Sequence, residues 1–141
     1  MKNKYKVLIV DVDEDVLIIL KNLLEHETYE IEITRSAVEA VEKIKNDKYH
    51  IVLLNIDMPE INGLELLKDI KNYDALTQVI VTAEHSTMDK ILSSLEYGAN
   101  DYIMKPVDNV ELVLQTVDYS VQKLERWREC IIQLVKQPTC L

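Results

Sequence analysis

The residues able to do chemistry in this chain gather just after its apolar runs. Asp11, Asp13 and Glu14 follow Tyr5–Val10, and Asn55 and Asp57 follow Ile51–Leu54. Thr82 and Ala83 stand at the end of a β-rich stretch, and Lys105 follows Tyr102–Met104. The set holds carboxylates, a hydroxyl and an ammonium group. Asn55 is its odd member. Its amide carries no negative charge and its nitrogen lone pair is delocalised, so it is no nucleophile. His26, His50 and His85 are scattered without metal or triad spacing, and surface or capping roles suit them. There is no glycine-rich phosphate loop and no Ser–His–Asp pattern, so the chain is not read as an enzyme.

The chain has 141 residues and 48% hydrophobic content, the size and composition of one globular domain with a proper core. A formal net charge of −9 argues against gripping nucleic acid through this domain, because phosphate contacts need clustered Lys and Arg. No apolar run approaches the ~20 residues that span a bilayer, and Val7–Val10 is too short for a signal peptide. Cys130 and Cys140 lack metal-ligand spacing and are expected as free thiols. A cytoplasmic protein away from any membrane is the expectation.

Strand and helix signals alternate five times. Tyr5–Val10 reads as a strand, followed by a helix over Glu14–His26 with Val16, Leu17, Leu20, Leu23 and Leu24 inward. Tyr29–Thr34 alternates as a strand nearer an edge. Ser36-Ala-Val-Glu39 is a capping box opening a helix that carries Val38, Val41 and Ile44. Tyr49–Leu54 reads as the central strand and Leu64–Lys71 as a short helix. Val79–Thr82 and Tyr102–Met104 are further strands. Between them Met88, Ile91, Leu92 and Leu95 keep helical spacing over Thr87–Tyr97, which Gly98 stops.

This alternation implies an α/β domain with a parallel sheet covered on both faces. Ligands in such folds bind beyond the C-terminal strand ends, where the groups named above lie. The last helix runs from about Asp108, in a capping role, to Lys136, ~43 Å at 1.5 Å per residue. Val110, Leu114, Val117, Val121, Leu124, Arg128, Ile131 and Val135 step in heptad rhythm. Its far half reads either as a fraying linker or, the favoured reading, as a dimer seam or signalling helix. Residues 1–121 are taken as the domain and 122–141 as the extension.

Ile51-Val-Leu-Leu-Asn-Ile-Asp-Met-Pro-Glu-Ile-Asn-Gly63 closely resembles the phosphorylation loop of receiver domains of two-component response regulators. Gly98-Ala-Asn-Asp-Tyr-Ile-Met-Lys-Pro106 resembles that family's fifth-strand signature. The resemblance covers roughly Lys4 to Val121. It implies a doubly wound, flavodoxin-like (βα)5 sheet of strand order 2-1-3-4-5, and partners that are a sensor kinase or an output domain.

The resemblance also implies a site. The family places a phospho-accepting aspartate four residues before the proline and eight before the glycine, and both intervals land on Asn55. It holds Mg²⁺ with acidic residues. Asp11 matches the first of these, but Val12 stands where a second is expected. Asp13 and Asp57 are the other candidate ligands, so any Mg²⁺ site is weakened; Asp13 is alternatively a helix cap. At Asp57 the family supplies a backbone carbonyl, and phosphorylation of its side chain is a minor alternative. For the switch hydroxyl, Val81-Thr82-Ala83 points to Thr82, whereas an ungapped count from Asn55 to Lys105 points to Ala83, the preferred position. Lys105 is expected to aim into the pocket, with a cis peptide to Pro106. Tyr102 matches the aromatic whose rotamer reports activation. The implied function is a pseudo-receiver, an interaction or dimerisation module in a phosphorelay. The alternatives are an unusual phosphoacceptor and a pocket turned to another small ligand at Lys105.

Overall fold

The computed structural model describes residues 5–105 and 109–136. Five strands, β1 (Lys6–Val10), β2 (Glu30–Thr34), β3 (Ile51–Asn55), β4 (Gln78–Ala83) and β5 (Asp101–Met104), form one parallel sheet in the order β2-β1-β3-β4-β5. The helices between and after them are α1 (Glu14–Glu25), α2 (Ala37–Asn46), α3 (Gly63–Tyr73), α4 (Met88–Glu96) and α5 (Val110–Lys136). This is the expected doubly wound sheet with an extended last helix. Alternate residues of the strands feed two cores. Val7, Ile9, Leu53 and Ile80 pack with Leu17, Leu20 and Leu24 of α1 and Val113 and Val117 of α5. Leu8, Val52, Leu54, Val79 and Val81 pack with Ala37, Ala40 and Ile44 of α2 and Leu66, Leu67 and Ile70 of α3. Burial on both faces is why β3 and β4 read as continuous apolar runs.

Local chemistry sets the helix starts. Asp13 Oδ1 accepts from the Asp15 and Val16 N–H groups, and Asn62 Oδ1 does the same for Leu64 and Glu65. Ser36 Oγ accepts from Glu39 N–H, the expected half of the capping box. The Ser36 N–H, which a full box would give to Glu39, donates instead to Thr34 Oγ1 at 3.1 Å. Glu60, in the loop after β3, takes the Ala37 N–H at 2.8 Å and the Ser36 hydroxyl at 3.1 Å. Asp108 lies outside the described residues; Asn109 Oδ1 receives the Glu111 N–H at 3.0 Å.

The structure gives two apolar sets their direction. Val38 is 53% exposed, and α2 buries Ala37, Ala40 and Ile44. On α4, Met88, Leu92 and Leu95 face outward and Ser94 is the buried residue. Helical spacing shows that residues share a face but not which way that face points.

The α5 stripe divides along its length. Val117 and Leu124 are buried, Leu114, Val121 and Arg128 are half-buried, and Val110, Ile131 and Val135 are exposed. The helix is continuous past residue 121. Leu124 is enclosed by the domain, and the Arg128 guanidinium sits over the Tyr5 ring, 5.9 Å from its centroid. The last turns extend beyond that anchor with Ile131, Ile132, Leu134 and Val135 exposed.

Candidate functional site

The C-terminal ends of β1, β3, β4 and β5 bring Asp11, Asn55, Thr82 and Lys105 together. Asn55 ends β3 and is 2% exposed. Its amide nitrogen donates to Asp11 Oδ1 at 3.2 Å, and its Oδ1 accepts from the Asp57 N–H at 2.9 Å. Asp11 Oδ1 also accepts from the Asp13 N–H at 3.0 Å. Its Oδ2 is ion-paired with the Lys105 ammonium, and both side chains are almost wholly enclosed. One carboxylate therefore has an amide, a backbone donor and a cation as partners. The charge of Asp11 is balanced inside the protein, as burial of an ion demands.

Loop geometry fixes this arrangement. A Cβ on Gly63 would sit 2.3 Å from the Ile56 carbonyl oxygen, so only glycine lets the start of α3 close against the strand end. Met58 and Ile56 are buried beneath that closure. Val12 turns outward, and its carbonyl oxygen accepts from Arg35 Nε at 3.1 Å.

Thr82 is paired with Asn55 in the β3–β4 register, so the two share a face of the sheet. Ala83 packs on the opposite face with Val79 and Val81, and its carbonyl oxygen accepts the Lys105 N–H at 2.8 Å. Tyr102 is half-buried against the α2–α3 core, and its hydroxyl meets Ser86 Oγ at 2.8 Å. Pro106 and its peptide bond to Lys105 lie outside the described residues.

Asp57 is not a loose loop carboxylate. Oδ2 accepts from the Glu84 and His85 N–H groups at 2.9 and 3.3 Å, and Oδ1 accepts from Lys90 Nζ at 2.9 Å. Burial pushes its pKa up, but the Lys90 ammonium and the two backbone donors outweigh burial and hold it below the usual carboxylate value. Glu60, Ser86 and Lys90 are site neighbours that the sequence reading passed over. Lys90 carried one signal, its place three residues after the Thr87 cap on the turn of α4 nearest the strand ends.

The donor set for a Mg²⁺ ion is depleted. Mg²⁺ needs several oxygens free to face it in near-octahedral array. Here Asp11 is taken by Lys105 and Asn55, Asp13 caps α1, and Asp57 is taken by Lys90 and the loop amides. Among the described residues no three His, Cys, Asp or Glu side chains converge as a metal site. Beside this cluster, a cleft of about 480 Å³ between α1 and α5 is walled by Val16, Ile19, Leu20 and Val110, with Asp13, Glu84 and Lys105 also lining it.

A doubly wound sheet of this order, with an Asp–Lys pair at its C-terminal edge, defines a receiver-type domain. The chain belongs to the response regulator receiver domain family, whose model matches residues 7–117. It is a receiver domain of two-component signalling. It is 37% identical over 108 residues to the response regulator ArlR of Staphylococcus saprophyticus, covering 77% of this chain and 49% of ArlR. The chain thus spans about half the length of the curated relatives it matches. A CheY-like response regulator receiver domain protein from Methanospirillum hungatei superposes with a TM-score of 0.85 at 32% identity, covering 88% of this chain and 98% of that one. NtrX from Brucella abortus has the same fold over 99% of this chain and 31% of its own, at TM-score 0.84 and 21% identity. Among the described residues no helix is long and apolar enough to cross a membrane.

Proposed function

We propose that this receiver domain works without aspartyl phosphorylation, as a protein-interaction module in a cytoplasmic phosphorelay rather than as an enzyme. One observation carries the reading. At the acceptor position stands an amide that is itself bonded to Asp11, whose remaining charge is met by Lys105. A phosphoryl group needs a nucleophile and a free lysine at this point; the first is replaced by an amide and the second is paired with Asp11. Asp57 is a poor substitute nucleophile because both its oxygens already accept hydrogen bonds. The Asp11–Lys105 pair equally disfavours a small anion at Lys105.

Its partners are proteins, a sensor kinase or an output domain. The net charge of −9 supports no role in gripping nucleic acid through this domain. The exposed apolar end of α5 supports a homodimer through that helix.

Incubation with acetyl phosphate and Mg²⁺, read by intact mass, tests the central claim. The expected result is no adduct in the wild-type chain. A stoichiometric phosphoryl adduct on it would sink the reading.

A further inference from the structure

We infer that Asp57 is a positioning residue for α4: its unmodified carboxylate holds the β4–α4 turn and the first turn of α4 in one arrangement. The inference deepens the phosphorylation-independent reading and rests on it.

The turn between β4 and α4 is residues 84–87, and it is gripped from both sides. From the β3 side, Asp57 Oδ2 takes the N–H groups of Glu84 and His85. Its Oδ1 takes Lys90 Nζ, which also donates to the His85 carbonyl oxygen at 2.7 Å. From the β5 side, the Tyr102 hydroxyl meets Ser86 Oγ. Thr87 Oγ1 then caps α4 through the Lys90 N–H at 3.2 Å. One carboxylate thereby ties the end of β3 to the turn backbone and to the helix that follows.

This tie matters because α4 has little else to hold it. A surface helix is normally fixed by burying an apolar stripe. Here α4 buries Ser94 and half-buries Ile91, while Met88, Leu92 and Leu95 are 70%, 54% and 66% exposed. Charge-assisted hydrogen bonds are among the stronger polar contacts, and three of them converge on Asp57. The latch therefore sets where α4 sits. Through α4 it sets how that helix presents its outward apolar residues. No covalent modification is required for the hold.

Amide hydrogen exchange on the full chain tests this with Asp57→Ala and Lys90→Met. In Asp57→Ala the Glu84 and His85 amides, and those of α4, should exchange roughly tenfold faster or more, with β1 and β3 unchanged. In Lys90→Met the α4 amides should speed up while Glu84 and His85 stay protected by the remaining carboxylate bonds. Unchanged exchange over residues 84–95 in Asp57→Ala overturns the latch. So does acceleration spread evenly over the domain. Should Asp57→Ala fail to fold, Lys90→Met decides alone, and unchanged α4 exchange in it overturns the latch. The phosphodonor test is read by mass on the wild-type chain, so a failure of the phosphorylation-independent reading is seen separately.

Discussion

The Asn55 amide donates to Asp11 while its oxygen accepts from the Asp57 backbone, so one neutral side chain links two loops that two carboxylates would drive apart. A second residue-scale effect lies at the other end of the sheet. His50 Nδ1 accepts the Lys6 N–H at 3.0 Å, and the ring meets Tyr5 edge-on. Burial pushes the His50 pKa down, with help from the Arg128 and Lys48 charges and against Asp74 and the Lys6 hydrogen bond. A histidine with a depressed folded pKa adds stability that is full above its unfolded value of 6.5. That stability is lost as pH falls through the folded value. Urea unfolding should therefore show the wild-type midpoint falling between pH 7 and pH 5, with part of that fall absent in His50→Asn. Equal pH dependence in the two proteins would refute the assignment.

At the scale of elements, each helix is placed by a different balance of forces. Helices α1, α2 and α3 are seated by buried stripes, α4 mainly by polar ties, and α5 by both. Leu124 is the deepest contact of the far half of α5, and Arg128 over Tyr5 is its last. Leu124→Ala removes buried methyl groups and leaves a cavity, so stability should drop by about 2–4 kcal/mol in urea unfolding. A loss under ~0.5 kcal/mol would mean that this part of α5 is not seated on the domain.

For the whole molecule, the apolar face of α5 outruns the sheet that it covers. Trp127, Ile131 and Leu134 continue at heptad spacing from buried Val117, Ser120 and Leu124, and all three are exposed. A second copy of the same helix would bury that face. Sedimentation should show a dimer of the wild-type chain that Ile131→Asp shifts to monomer while its helical circular dichroism is kept. A wild-type chain that stays monomeric at high concentration would refute the seam.

Alternation of apolar runs, helix caps and the Pro59–Gly63 spacing were legible in the chain because they are local. They determined the five βα units, the strand ends that hold the site and the amide at position 55. Direction and partnership were not legible. Whether Met88, Leu92 and Leu95 face in or out depends on what lies beside α4, and spacing within a helix carries no such information. That Glu60 would cap α2, or that Lys90 would reach Asp57, depends on loops 23 and 33 residues apart being brought together. The partners of the Asp57 carboxylate were not legible because a sequence shows charges without their counter-charges. The tertiary structure supplied those partners, since only the closed sheet fixes which donors face which oxygens.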